Sequence, residues 1–373
     1  MKITRRDTLK QLATAGLAGL SGCLRTHKPT SGNGDRTQSS DTTDEGEDTD
    51  TDETVRAAFV YHDAVGDFGW QWAHDQARRA VEDDFDWVET EVFEKVSPEG
   101  SEPRFRQYAE RGFDVIFGTS WDYMDPMYEV APDYPDVAFE HCSGYRQRGN
   151  LGCYFGRMYE PRYLTGVAAG LLTETDRLGY VAAFPISEVI RGINGFALGA
   201  SSVNEDVTVS VKYTQTWNDA GIESNTAERL IEEGVDVMAQ HQNFPAAAET
   251  AAEEGIWATG YNSDIGELIG ENYVTSPVWN WEVFYGDAVN EIRDGNWESD
   301  FYWEGIESGI VGLSDWGSEV PDEVIERVET KRREIENGNL SIWGGTRFEE
   351  FDTTQLFRNV DSYVDAVEGE VPQ

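Results

Sequence analysis

Arg56-Ala57-Ala58-Phe59-Val60-Tyr61, followed shortly by Val65-Gly66-Asp67-Phe68-Gly69-Trp70-Gln71-Trp72-Ala73-His74-Asp75, sets the reading of the whole chain. The first stretch is an apolar run with the character of a strand. The second opens a helical period, with Ala73, Ala77, Ala80 and Val81 on one face. A loop between a strand's C-terminal end and a helix N-terminus is where α/β proteins hold small ligands. Phe68, Trp70 and Trp72 sit in and just after that loop. Such large aromatics either pack into the core or grip something flat.

The same alternation continues downstream. Strand-like runs end near Gly118, Glu140, Phe155, Phe184, Tyr213, Gln240, Gly260 and Val278. Helical periodicity falls at 160–172, 190–203, 224–233, 246–254, 281–294 and 322–337. Repeated β-α order predicts parallel sheets with helices on both faces. Roughly 320 residues exceed what one sheet organises, which predicts two lobes. Most strand-like runs are followed by polar and aromatic residues that a plain core does not need. Trp121-Asp122-Tyr123-Met124-Asp125, Ser187-Glu188, Trp217-Asn218-Asp219, His241-Gln242-Asn243, Tyr261-Asn262-Ser263-Asp264 and Trp279-Asn280-Trp281 are examples. Parallel strands gather these ends along one edge of each sheet, and two facing edges make a cleft.

The N-terminus reads as an export signal over residues 1–23. Arg5-Arg6 precede a short apolar region, and Leu20-Ser21-Gly22-Cys23 resembles a lipoprotein processing box, with Cys23 as the lipidated residue. Residues 24–54 are Thr, Ser, Gly, Asp and Glu, the composition of an extended acidic tether. The net charge is −42; residues 1–23 carry +3 and 24–54 carry −6, which leaves about −39 for 55–373. A fold so acidic repels phosphate and is not a general nucleic-acid binder. Acid spread along the whole chain points to a protein that works in high salt. Cys142 and Cys153 lie at the ends of two strands, and an exported location favours a disulfide between them over two free thiols. Two thiols make a poor metal site, so neither metal nor cofactor is expected.

These residues resemble the basic membrane protein family of substrate-binding lipoproteins, which serve ABC importers of purine nucleosides and related compounds. The likeness covers about 55–345. It is carried by Val65-Gly-Asp-Phe-Gly-Trp70 with His74-Asp75, Thr119-Ser-Trp-Asp-Tyr-Met-Asp125-Pro and Phe139-Glu-His141 with Gly144-Tyr145. Phe184-Pro-Ile, Gly192-Ile-Asn-Gly-Phe-Ala-Leu-Gly199, Asp236-Val-Met-Ala-Gln-His241 and Asn280-Trp281 complete it. The resemblance implies a periplasmic-binding-protein type I fold: two doubly wound, Rossmann-like lobes, joined by a hinge, that close on a ligand. The lobes are expected at 55–158 plus 280–310 and at 159–279 plus 311–350, with 351–373 as a C-terminal tail. The nucleoside pattern has Asn-Asp where this chain has Gly69-Trp70, and a sugar-binding lysine where it has Trp279. Losing a polar partner and gaining aromatics favours a bare, adenine-like nucleobase over a nucleoside.

Stacking on aromatic rings contributes about 1–3 kcal/mol per base. Phe68, Trp70, Trp217 and Trp279 are the candidate ring faces. Asp264 and Asn280, then Asp125, are the candidate partners for the ring edge, where a carboxylate accepts charge-assisted bonds from N–H groups. Trp72, His74 and Tyr123 complete the expected ligand-binding set. Asp125 and Asp264 could equally be helix caps. The expected partners are a purine nucleobase or nucleoside, an ABC permease and its ATPase, and the membrane through a lipid anchor. Three other readings remain open: an extracellular nucleoside hydrolase, a sugar-binding protein with Arg157 or Arg191 near its ligand, and a receptor subunit of the same fold. No Gly-x-Ser-x-Gly, His-Glu-x-x-His or Walker loop supports an enzyme.

Overall fold

The computed structural model describes residues 54–372. The signal with Cys23 and the tether up to residue 53 lie outside the described residues. In chain order the elements are β1 (Val55–Val60), α1 (Trp70–Asp84), β2 (Val88–Phe93), α2 (Pro98–Glu110), β3 (Val115–Gly118), α3 (Met124–Val130), β4 (Ala138–Cys142) and β5 (Leu151–Gly156). There follow α4 (Tyr159–Leu172), β6 (Arg177–Ala182), α5 (Ser187–Ser201), β7 (Thr208–Tyr213), α6 (Ala220–Glu232), β8 (Val237–His241), α7 (Ala246–Glu253), β9 (Trp257–Ala258) and α8 (Gly266–Ile269). The chain continues through β10 (Pro277–Trp279), α9 (Glu282–Arg293), β11 (Phe301–Glu304), β12 (Val311–Leu313), α10 (Asp322–Glu336) and α11 (Thr353–Arg358).

One six-stranded sheet runs in the order β11-β5-β4-β3-β1-β2, and one four-stranded sheet in the order β7-β6-β8-β9. Every pairing within both sheets is parallel. All strand C-termini of a sheet therefore lie along one edge. β10 and β12 form a separate antiparallel ribbon where the chain passes between the sheets. Central strands such as β3, β4 and β5 are buried along their whole length, as expected for parallel strands covered on both faces.

In the second lobe α4 and α5 approach unusually closely. A Cβ on Gly166 would lie 1.9 Å from the Phe196 carbonyl oxygen, and one on Gly199 1.9 Å from that of Tyr163. Only glycine permits this spacing, which presses α4 under α5.

The expected Cys142–Cys153 disulfide is not formed; both cysteines are free and buried. Their register explains it. Cys153 lies opposite His141, while Cys142 lies opposite Tyr154. Side chains alternate faces along a strand, so the two thiols point to opposite sides of the sheet.

The C-terminal segment bridges the lobes. Arg191 on α5 donates to the Phe357 and Leu356 carbonyls, Asn194 to that of Ser362, and Val367 bridges to Val209 of β7. Phe357 packs edge-on against Phe301 at 5.0 Å, Trp303 at 5.2 Å and Phe155 at 6.0 Å, all on the six-stranded sheet. Arg358 lies 4.2 Å from the Tyr145 ring. Phe357→Ala is expected to cost about 3–5 kcal/mol, the usual loss for a buried phenylalanine. Denaturant unfolding at fixed salt measures it, and an unchanged midpoint would mean the segment does not clamp the lobes.

Candidate ligand-binding cleft

A cavity of about 400 Å³ lies where the strand ends of the two sheets face each other. That volume falls within the range of small-molecule sites. The first lobe contributes His62 and Asp63 after β1, Trp70 and Gln71 at the start of α1, Ser120 to Asp122 after β3, and Ser143 after β4. Phe184 to Ile186 and Glu188 follow β6, Trp217 and Asn218 follow β7, His241 and Asn243 lie at the end of β8, and Tyr261 and Asn262 follow β9.

Five aromatics wall this space: Trp70, Trp121, Phe184, Trp217 and Tyr261. Trp70 is fixed by its indole N–H, which donates to the Thr119 carbonyl at 2.7 Å, and by edge contacts to Trp279 and Trp281, both at 5.5 Å. Phe184 and Trp217 lie 5.0 Å apart on the opposite side. His241 and Tyr261 are in contact at 4.4 Å. Trp121 is half exposed and stands at the mouth.

The polar lining consists of amides, hydroxyls and carboxylates, with neither Lys nor Arg on the wall. Asn262 accepts from the Trp279 indole at 3.0 Å, while its buried Nδ2 has no partner among the described residues. Its backbone sits at φ 67, a left-handed conformation that Asn tolerates better than most. Ser143, at φ 62, shares this strained class. Glu188 lies 3.4 Å from the Ser143 hydroxyl and 3.8 Å from His241 Nε2. Burial raises the Glu188 pKa to about 6, against the pull of Arg191 and Ser143. Burial holds His241 far below the usual histidine range, assisted by Arg162 and Arg191, so the imidazole is neutral.

The lobes touch around the cavity. Asn218 donates to Asp63 at 2.5 Å, and the Gly69 amide to Ser263 at 3.4 Å. Gly69 has φ +89, and a Cβ there would lie 2.7 Å from the Asn243 carbonyl oxygen, so the first loop needs glycine to reach the second lobe.

Of the ten residues expected at the ligand, Trp70 and Trp217 line the cavity. Phe68 packs at the rim against Phe244. His74 stands behind Trp70, buried, neutral through burial, and bonded to Tyr285 at 2.6 Å. Tyr123 is core, donating to the Val96 carbonyl at 2.6 Å. Asp125 is exposed and paired with Arg146. Asp264 is exposed and accepts the Gly266 amide at 2.8 Å in a local turn just ahead of α8, whose N-cap is Ile265. Trp72, Asp264, Trp279 and Asn280 border a second, more open recess beside α1. Asn280 donates to the Gly309 carbonyl at 2.7 Å. Trp279 is stacked on Trp281 and reaches the main cavity only through Asn262, so it does not itself narrow the ligand space. Arg157 is tied to Glu160 and Glu307, away from the cavity. Glu188, His241, Tyr261 and Asn262 line the cavity without standing among the expected contacts; the signal in the sequence is their place, with Glu188 in the first turn of α5, His241 last in β8, and Tyr261 and Asn262 in the loop after β9.

The family model for PnrA-like ABC transporter substrate-binding proteins, Bmp, matches residues 54–344. The chain belongs to this family. A protein of Haloferax volcanii, provisionally named an ABC transporter glucose-binding protein, TsgA13, is 47% identical over 99% of this chain and 98% of its own. A purine-binding protein of Brucella abortus is 38% identical over 79% of this chain and 84% of its own. Among solved structures, an ABC transporter solute-binding protein from Conexibacter woesei superposes with a TM-score of 0.67 at 21% identity, covering 77% of this chain and 98% of that one. The fold is the periplasmic-binding-protein type I fold, and the protein is an ABC transporter substrate-binding protein. Its family works outside the membrane, and no helix among the described residues is long and apolar enough to cross one.

Asp125→Asn and Asp264→Asn are expected to leave ligand affinity unchanged in calorimetric titration, whereas Glu188→Gln weakens it. A large loss with Asp264→Asn would instead put the ligand in the second recess.

Proposed function

We propose that this protein captures a purine, as nucleobase or nucleoside, in the interlobe cleft and delivers it to an ABC permease and ATPase. The observation carrying this reading is the aromatic wall of Trp70, Trp121, Phe184, Trp217 and Tyr261 around a cavity of about 400 Å³ without a cationic lining residue. Base–aromatic stacking of about 1–3 kcal/mol per base supplies much of a micromolar affinity. Glu188 accepts from a ring N–H or exocyclic amine, and Asn262 Nδ2 donates to a ring nitrogen. A buried carboxylate with such a donor gives a charge-assisted bond. The volume leaves room beyond a bare base, which keeps the nucleoside within the proposal. The relative named as purine-binding supports this class.

The second reading is a hexose, favoured by the relative named as glucose-binding. Asp63, Asp122, Gln71 and Asn218 line the same cavity and suit sugar hydroxyls. We further propose lobe limits of 55–158 plus 280–310 and 159–279 plus 311–350. Lipid anchoring through Cys23 on the outer face of the membrane, and a binding rather than catalytic role, belong to the same proposal.

A thermal-shift panel on the full chain in high salt separates the readings, since a bound ligand raises Tm by mass action. Adenine, hypoxanthine, adenosine and inosine are expected to raise it, and glucose and ribose to leave it unchanged. A shift with glucose alone would establish the second reading.

The pH dependence follows from Glu188. Its pKa is raised in the fold, so its ionisation costs stability as pH rises from the unfolded value to about 6. A ligand N–H needs the ionised form. Purine affinity should therefore fall below a pH of about 6, approaching tenfold per unit, and Glu188→Gln should flatten the profile.

A further inference from the structure

Residues 345–373 lie beyond the part of the chain that the family model matches, which ends at 344. Part of this segment closes on Arg191, one helical turn from Glu188 of the cleft wall. Arg191 is buried, and its Nη1 donates to the Leu356 carbonyl at 3.1 Å, to the Phe357 carbonyl and to the Ser187 hydroxyl at 3.3 Å. Ser187 ties the same knot: its hydroxyl donates to the Phe357 carbonyl at 3.2 Å and accepts the Val360 amide at 3.1 Å. The Phe357 ring centroid lies 5.0 Å from the Arg191 guanidinium carbon.

Glu188 and Arg191 stand three residues apart on α5, a spacing at which opposite charges on a helix ordinarily pair. They form no ion pair among the described residues; the hydrogen bonds of Arg191 go instead to Ser187, Leu356 and Phe357. Burial lowers the Arg191 pKa to about 10, so the guanidinium keeps its charge at neutral pH. Of the other groups around Glu188, His241 from β8 is held neutral by burial, and burial keeps the Cys142 thiol at the end of β4 and the Tyr261 hydroxyl after β9 protonated. Ser143 offers a hydroxyl, Asp63 and Asp122 line the same cavity from the first lobe, and Arg162 on α4 lies 4.1 Å from the Tyr261 ring. Arg191 is the cation whose pull opposes the effect of burial on Glu188. A direct pair with Arg191 would occupy the carboxylate oxygens that a solute N–H needs. A guanidinium held a short way off leaves them open, and its charge still favours the ionised carboxylate through a low-dielectric interior.

We propose, on the reading in which Glu188 contacts the solute, that the C-terminal segment is part of the binding machinery. Its Leu356 and Phe357 carbonyls hold Arg191, a positioning residue, off Glu188, and so leave the carboxylate ionised and free to accept from the solute. The segment thereby has a role in the cleft besides clamping the lobes.

Two readouts separate the clamp from the solute contact. In the ligand-free full chain, carbon-13 NMR of the glutamate carboxyls follows the titration of Glu188, identified by its loss in Glu188→Gln. Calorimetric titration with adenine follows the contact. Arg191→Met removes the charge and should raise the Glu188 midpoint from about 6 by about one pH unit or more. Arg191→Lys keeps the charge and should restore most of the shift. Ser187→Ala, and more strongly Phe357→Ala, loosen the knot with every charge in place and free Arg191 to pair with Glu188. They should lower the midpoint and weaken adenine binding several-fold at neutral pH. If the Arg191 variants fail to fold, Ser187→Ala and Phe357→Ala decide alone. A midpoint that stays in place in Arg191→Met, or that neither Ser187→Ala nor Phe357→Ala lowers, overturns the clamp even where Glu188→Gln weakens adenine binding. Midpoints that move as expected while Glu188→Gln leaves adenine binding unchanged keep the clamp and overturn the contact between Glu188 and the solute.

Discussion

The cleft depends on a stack of rings at the junction between the lobes. Trp281 is fully buried, with His74 parallel on one side at 4.6 Å and Trp279 on the other at 4.4 Å. Trp70 meets this stack edge-on, which fixes the plane of one cavity wall. Each such aromatic pair adds about 0.5–1.5 kcal/mol beyond area burial. The stack joins α1 to the segment that leaves β10 for α9, so the wall and the crossing chain are one rigid piece. It tolerates a histidine because burial keeps that histidine neutral, and a hydrogen-bonded chain from His74 to Tyr285 to Tyr154 satisfies its Nδ1.

The contacts that hold the cleft shut are of another kind. Asp63 with Asn218, Ser143 with Glu188, and Gly69 with Ser263 are polar, and a single edge-on ring contact, Phe68 with Phe244 at 6.3 Å, joins them. Such bonds contribute only about 0.5–1.5 kcal/mol each, because water competes for the same groups. Breaking them leaves the strand pairing inside each sheet untouched, as a protein that must load and release a solute requires. The C-terminal segment sets a bound on that parting through Phe357 and Arg358. Salt screens the acids on both lobes, which would otherwise repel each other as the cleft closes.

Much of the fold was legible because burial on both faces leaves continuous apolar runs, and those runs end where the strands end. β2 was missed: Val-Glu-Thr-Glu-Val-Phe alternates, and as an edge strand it buries only its first residue. The cleft was legible as a set of loops but not as a set of side chains. In the single turn Trp121–Tyr123, Trp121 goes to the mouth and Tyr123 into the core, a choice of phase that composition does not reveal. Asp264 is exposed and takes its hydrogen bond from the Gly266 amide two residues on. Trp279, which stands where the family's nucleoside pattern has a polar residue, reads as a wall, yet it stacks on Trp281 behind the cavity. The disulfide failed on a register offset of one residue, which only the pairing of β4 with β5 fixes.

A crystal structure of the protein grown with adenine and glucose together tests most directly which solute the cleft takes. One planar ring is expected in the interlobe cavity, lying against Trp217, with an N–H or amino group within hydrogen-bond reach of Glu188 and a ring nitrogen facing Asn262 Nδ2. A hexose in that cavity, or adenine seated in the second recess beside Asp264, would contradict it.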